Sequence, residues 1–154
     1  MTQRLRLKIP PPLVAMLCGL LIWALAELLP VQTAGTALRQ MLALFLLALA
    51  IGIDMAALIH FRKAGTSIDP RYPHKTTMIV GHGIYARTRN PMYLGLVLIL
   101  SSLGLWLGSI AALPVIVIFI CYMNYFQIAA EEEHLSRRFG DAYRAYKARV
   151  RRWI

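Results

Sequence analysis

The sequence predicts an all-α protein: an integral membrane helical bundle with four transmembrane helices, a cytoplasmic loop and an amphipathic C-terminal helix. Three observations carry this. The 154 residues are 58% hydrophobic, with a mean hydropathy of +0.57, which is above the composition of soluble domains. The apolar residues gather into four runs, and a spanning helix needs about 20 such residues. Lys and Arg fall on alternate connections between the runs, as the positive-inside rule requires of a membrane protein.

The first run, residues 13–29, is interrupted only by Gly19 and Glu27. It lacks a small-residue cleavage site and more spans follow it, so it is not a cleaved signal. The second, 38–61, carries Arg39 near its start and Asp54 and His60 near its end. The third, 92–107, follows Pro91, and the fourth covers 110–130. Runs one and three are short, which predicts tilt or extension by their polar flanks. Cys18 and Cys121 fall inside spans, where a free thiol behaves as a small buried hydrophobe.

Charge sets the orientation. The N-terminal segment holds Arg4, Arg6 and Lys8, while the first connection, 30–38, has no basic residue. The second connection holds Arg62, Lys63, Arg71, Lys75, Arg87 and Arg89; the one near Gly108 has none; and the tail beyond Arg137 is strongly basic. This alternation predicts that both termini and the long 62–90 loop are cytoplasmic. The net charge of +10 is then a topological signal and a means of docking on anionic membrane lipid, and no nucleic-acid partner is expected. Residues 1–154 are read as one domain, with 1–61 as an N-terminal helical hairpin.

Chemistry gathers at two places. Long loops without strong structure are functional or disordered, and the 62–90 loop ends in Gly81, His82, Gly83, Tyr85, Arg87, Arg89 and Asn90. Asn90 is a good N-cap and Pro91 suits the first helical position. The third span therefore starts there, with its free N–H groups and positive dipole end at the cytoplasmic face. Gly81 and Gly83 either make a simple turn or form a pocket rim where backbone approaches a ligand. In the fourth span, Asn124, Gln127, Glu131, His134 and Arg138 recur at steps of three and four and line one helix face. Asn124 and Gln127 lie at membrane depth, where polar side chains face a bundle interior or a water-filled cavity. Glu131, Glu132 and Glu133 are either a solvated helix exit paired with nearby arginines or a set of site carboxylates. Both features fall on one side of the membrane, and together they suit a ligand carrying a cation, hydroxyls and a carboxylate. No metal-ligand set is read. Beyond Glu133, Leu135, Phe139, Tyr143, Tyr146 and Val150 form a stripe among basic residues, an interfacial pattern broken near Gly140 and Asp141.

The blocks "GHGIYARTRNPMYLG" at 81–95 and "EEEHLSRRFGDAYRAYKARVRRW" at 131–153, with "GTSIDP" at 65–70, resemble the isoprenylcysteine carboxyl methyltransferase and phospholipid methyltransferase superfamily. The resemblance implies an integral membrane enzyme that uses S-adenosylmethionine, with 62–154 as the cofactor-binding core. It implies that Gly81, His82, Gly83 and Tyr85 contact the cofactor, that Gly95 borders it, and that Glu131 and Glu132 hold its hydroxyl or ammonium groups. Asn90 stands where the eukaryotic prenylcysteine enzymes carry His. Some members carry Arg one turn before the Glu pair; here that turn offers Asn124, Gln127 and Ile128, so the eukaryotic substrate is not carried over. The implied reaction is direct displacement at the activated methyl, with His82, Asn90 and Glu131 as the candidate catalytic residues and His134 as another group able to assist a proton. Asp54, Asn124 and Gln127 are the candidate contacts to a lipophilic acceptor entering from the bilayer. That acceptor is a prenylcysteine-like carboxylate, a lipid amine or a small thiol. The expected location is the bacterial inner membrane, and the pattern fixes no oligomeric state. A membrane reductase related to sterol reductases and a non-enzymatic adaptor of the same fold are the alternatives, separated from the first reading by which cofactor, if any, binds.

Overall fold

The computed structural model describes residues 9–29, 35–64 and 79–154. The N-terminal basic residues, the centre of the first connection and the GTSIDP segment lie outside the described residues. The chain is helical, with no strand among the described residues.

Helix α1 (Pro11–Leu28) opens on Pro11, whose missing N–H and fixed φ suit the first helical turn. It turns Ala15 and Ile22 inward and leaves Leu17, Leu20, Leu21 and Trp23 exposed. Helix α2 (Thr36–Ala64) ends in Arg62 and Lys63, cations placed against the negative end of the helix dipole. It presents Ala43, Ala50 and Ala57 to the interior, all at most 1% exposed. These alanines are seven residues apart, so they share one face and let the next helix approach closely.

That neighbour is α3 (Pro91–Leu107), the centre of the bundle, which packs against α1, α2 and α4. Ser102 Oγ donates to the Ala43 carbonyl at 2.7 Å. Gly95 faces Asp54 so closely that a Cβ there would collide with the carboxylate. Gly108 ends α3 in the left-handed region, φ 65°, with its amide and that of Ser109 returning to Leu105 O and Gly104 O at 3.1 and 3.0 Å. Helix α4 (Ala112–Tyr122) then packs back on α3, with the Ala112 methyl filling the notch at Gly104.

Helix α4 runs on through a π segment (Met123–Ile128) into α5 (Ala129–Arg149). At Gly140, φ 53° and ψ −123°, the axis breaks, where the sequence predicted an interruption. The main core joins Ile22 of α1, Tyr93 and Leu100 of α3, Phe119 of α4 and Met123 and Ile128 of the π segment.

Helices α1 and α2 and the rod from Ala112 onward are long and apolar enough to cross a membrane, and α3 is a shorter apolar helix. The outer faces carry large exposed side chains such as Met41, Phe45, Leu113 and Ile118. A contiguous apolar exterior of this kind is the mark of a surface that meets lipid. Cys121, expected to be buried, is exposed on α4, because the outer face of a lipid-facing helix is itself apolar.

Candidate active site

Four of the residues singled out for the site, Tyr85, Asn90, Glu131 and Glu132, meet at one end of the bundle, where α2 ends, α3 begins and α4 passes into α5. Gly83 is in the left-handed region, φ 62°, and a Cβ there would strike the His60 ring. Its lack of a side chain therefore lets the chain turn tightly over the end of α2. A single 3₁₀ turn, Gly83–Ala86, follows. It buries Tyr85, whose ring meets Phe61 edge-on at 5.1 Å and whose carbonyl accepts from Tyr146 Oη at 2.8 Å.

Asn90 occupies the N-cap position of α3, as the sequence suggested, but its side chain makes no capping bond. Its Nδ2 donates instead to the carbonyl of Arg152, 2.8 Å away, while its backbone N–H goes to Thr88 Oγ1 at 3.2 Å. The capping interaction loses to a tertiary one that no local pattern announces.

The three consecutive glutamates have three different surroundings. Glu133 points outward and pairs with Arg137 one turn on. Glu132 is buried and surrounded by cations: Arg152 grips it with Nε at 3.0 Å and Nη2 at 2.9 Å, Arg89 stands at 3.0 Å and Lys147 at 3.4 Å. Glu131 accepts from the Tyr93 hydroxyl. Both inner carboxyls lie just past the apolar stretch that ends at Ala130. Burial pushes Glu131 up to about 8; the Tyr93 hydrogen bond opposes this and the charge of Glu132 adds to it. Burial also acts on Glu132, but the Arg152 hydrogen bond and the charges of Arg89, Arg152 and Lys147 outweigh it and hold that carboxyl below its ordinary value.

Between these elements is a cavity of about 80 Å³. Phe61, Tyr85, Tyr143 and Tyr146 form an aromatic wall, and Arg89, Asn90, Glu131 and Glu132 supply the polar groups. The Arg89 side chain is 11% exposed, and its Nε is buried with no hydrogen-bond partner among the described residues. Burial raises the Tyr143 hydroxyl to about 12 and raises Tyr146 and Tyr85 as well, so all three remain neutral donors at physiological pH. An aromatic cavity with one protonatable carboxyl and one guanidinium can hold a ligand carrying both a cation and an anion.

Of the residues singled out from the sequence, Tyr85, Asn90, Glu131 and Glu132 line this cavity. Gly81 lies at ordinary contact distance from the Tyr146 ring, and His82 is exposed, its ring 5.3 Å from that of His60. The His60 Nδ1–H donates to Ala56 O at 2.6 Å, which fixes that ring. Gly83 and Gly95 take up their neighbours on α2, His60 and Asp54. Asp54 Oδ1 is buried without a hydrogen-bond partner among the described residues.

Asn124 and Gln127 turn to other partners. Gln127 is 0% exposed and its Nε2 donates to Ile9 O at 2.8 Å, while Asn124 Oδ1 accepts from Trp153 Nε1 at 3.2 Å. The π segment, with its wider turn, removes the regular step on which a single polar face depends. His134 keeps a buried Nε2 with no hydrogen-bond partner among the described residues.

Arg152 and Tyr93 are the participants for which the sequence gives no sign: Arg152 is one basic residue of a basic tail, and Tyr93 lies 38 positions from the carboxylate it serves. Arg89, one of the polar residues that close the 62–90 loop, does line the cavity. Tyr143 and Tyr146 stood in the aromatic stripe but carried no sign of facing a cavity.

Known proteins resemble this chain in sequence. The family model described as phospholipid methyltransferase matches residues 38–142. A protein of Haemophilus influenzae described as uncharacterized is 54% identical over 63 residues, an alignment covering 41% of this chain and 100% of that protein. No solved structure matches.

Proposed function

We propose that this integral membrane protein, which belongs to the phospholipid methyltransferase family, transfers a methyl group from S-adenosylmethionine to a lipophilic acceptor at the cytoplasmic face of the bacterial inner membrane. The observation that carries this reading is that Glu131 and Arg89, both within the matched residues, line one aromatic-walled cavity.

The donor set fits the cofactor's chemistry. Glu131 suits an ammonium or a ribose hydroxyl. The buried Nε of Arg89, with no hydrogen-bond partner among the described residues, suits a carboxylate. The wall of Phe61, Tyr85, Tyr143 and Tyr146 suits an adenine ring and a sulfonium, since aromatic faces attract cations. At about 80 Å³ the cavity is smaller than the roughly 300–1,000 Å³ of small-molecule pockets. The residues leading into Ile79, which also lines it, are outside the described ones.

When bound, the sulfonium supplies an already activated methyl group. The chain's own residues then orient that group and exclude water, the two contributions a displacement between prepared partners needs most. The acceptor approaches from lipid along α2, where Asp54 and His60 are the polar groups nearest the 83–95 segment. A carboxylate or thiolate acceptor needs no strong base; an amine must first lose a proton.

Labelled S-adenosylmethionine supplied to inverted inner-membrane vesicles, with sealed right-side-out vesicles in parallel, tests donor and orientation together. Label is expected in the lipid-extractable fraction of the inverted vesicles only. Use of a reduced dinucleotide instead would favour a reductase, and incorporation only from the right-side-out face would reverse the proposed topology.

A further inference from the structure

We propose that Arg152 is a positioning residue that latches the C-terminal tail onto the cavity wall, so that the two adjacent carboxylates divide the work: Glu132 holds the tail and Glu131 receives the ligand.

Helix α5 ends at Arg149, and Val150 is extended, φ −120° and ψ 130°, and buried against Tyr143 and Tyr146. From there the tail runs beside the segment that precedes α3. The Arg89 amide donates to Arg151 O at 3.0 Å. Thr88 Oγ1 and Asn90 Nδ2 both donate to Arg152 O, at 3.3 and 2.8 Å, which uses both lone pairs of that carbonyl.

The Arg152 side chain meanwhile reaches Glu132. Nε and Nη2 each take one carboxylate oxygen, the two-pronged geometry that a planar guanidinium makes and an ammonium cannot. Nη1 approaches Asn124 Oδ1 at 3.4 Å, beside the Trp153 indole N–H on the same oxygen. One residue thus joins three elements: the 88–90 segment through its carbonyl, the start of α5 through its guanidinium, and the π segment through Asn124.

Both Glu132 oxygens are thereby engaged, with Arg89 and Lys147 close by. A ligand would have to displace bonds already made by cations. Glu131 has the Tyr93 hydroxyl as its hydrogen-bond partner and the raised pKa of a carboxyl awaiting a positive neighbour. The basic tail that reads in sequence as a membrane anchor therefore contains one arginine that belongs to the site.

The ligand half of this proposal rests on the S-adenosylmethionine reading; the latch itself does not. The test uses the full chain in detergent, as wild type and as Arg152→Ala, Arg152→Lys, Glu132→Gln, Glu131→Gln and the Arg152→Ala/Glu132→Gln pair. Two quantities are read from the same samples: hydrogen-exchange protection of the Arg89 amide, and affinity for S-adenosylhomocysteine. Removing one partner of a charge-assisted bond should weaken affinity roughly tenfold. Arg152→Ala, Arg152→Lys and Glu132→Gln are expected to lose protection and to weaken affinity by that factor. The double variant should be no worse than either single one, since the two residues act as a unit. Glu131→Gln should weaken affinity while keeping the amide protected. Full protection in Arg152→Ala would overturn the latch, and restoration by Lys would reduce it to a charge effect and overturn positioning. Loss of protection in Glu131→Gln equal to that in Glu132→Gln would overturn the division of work. If wild type fails to bind S-adenosylhomocysteine, the donor reading falls, while the Arg89 amide still decides the latch.

Discussion

The bundle of α1–α4 and the polar cap at its end are held together by different physics. In the bundle, contact depends on what is missing: Ala43, Ala50 and Ala57 keep one face of α2 small, and Gly95 and Gly104 of α3 leave room for the Asp54 carboxylate and the Ala112 methyl. Lipid is as apolar as the side chains, so close packing and not water exclusion favours association there. In the cap, contact depends on particular atoms. Arg152 meets Glu132 across 20 positions, Asn90 meets Arg152 O across 62, and Tyr146 meets Tyr85 O across 61. Such bonds in a site shielded from water are strong when complete and expensive when one partner is lost. The bundle should therefore respond to volume and the cap to the loss of a single donor, acceptor or charge.

The largest expected effect lies in the cap. Glu131→Gln keeps the shape and removes an ionisable acceptor. With a charge-assisted bond contributing about 1.5–3 kcal/mol, affinity for S-adenosylhomocysteine should fall roughly ten- to a hundredfold. Glu133→Gln, on the outer side with Arg137, should leave it unchanged. The pH dependence sharpens this. Burial pushes the Glu131 carboxyl up to about 8 in the folded protein, from its ordinary 4.5. A cationic ligand prefers the ionised form, so affinity should rise with pH up to about 8 and then level off, and Glu131→Gln should flatten that rise. For stability the sign is opposite. The folded state holds a proton that the unfolded chain releases, so Glu131 removes stability as pH climbs from 4.5 toward about 8. Glu132, with its lowered pKa, contributes stability above 4.5 that is lost as pH falls through its folded value. A flat affinity profile in wild type, measured by titration calorimetry, would remove Glu131 from the ligand site.

The next effect belongs to the bundle and acts through volume. A methyl group on Gly95 would collide with the Asp54 carboxylate. Overpacking of this kind costs about 1–3 kcal/mol. Gly95→Ala should lower the detergent melting temperature, and Asp54→Ala in the same chain should restore it, because the colliding atoms belong to that side chain. Failure of the double variant to recover would mean that the helix backbones, and not the carboxylate, set the α2–α3 spacing.

Legibility in the sequence followed the same division. The apolar runs located α1, α2 and α3 to within three residues and the start of α4 to within two, since a membrane span is a local property of composition; the end of the fourth run, at 130, marks no helix end, because the rod continues through the π segment into α5. Pro91 opened α3, Gly108 lay in the turn after it, and Gly140 broke α5 where expected. In each case the signal is a backbone constraint carried by one residue. The cap was legible only as a set of suspects. Tyr85, Asn90, Glu131 and Glu132 do meet at one cavity, but Asn90 bonds the tail instead of capping its helix. Gly83, read as a turn or a pocket rim, and Gly95, which the resemblance sets beside the cofactor, border His60 and Asp54. Asn124 and Gln127 both lie in a π segment, whose wider turn is not encoded by any periodicity, and they bond different partners. Arg152 was one basic residue among many in the tail, and only the fold brings it to Glu132.

The smallest expected effect is the one that separates the two regions most directly. Ser102 is buried, and its hydroxyl donates across the α2–α3 interface to Ala43 O at 2.7 Å. In the cap, deletion of a polar atom leaves a charged or buried partner exposed to an environment that cannot replace it. Here the acceptor is a helix carbonyl, which in a regular helix also serves the amide four residues on, so it is not abandoned when the hydroxyl goes. Alanine fills most of the space and keeps the helices at the same distance. Interhelical hydrogen bonds in membrane proteins average only about 0.6 kcal/mol, because the unfolded chain in the membrane also finds partners. Ser102→Ala should therefore shift the unfolding midpoint only slightly and leave S-adenosylhomocysteine affinity unchanged. A loss as large as that expected for Glu131→Gln would show that the α2–α3 contact depends on this single donor, and the contrast between a bundle governed by volume and a cap governed by atoms would not stand.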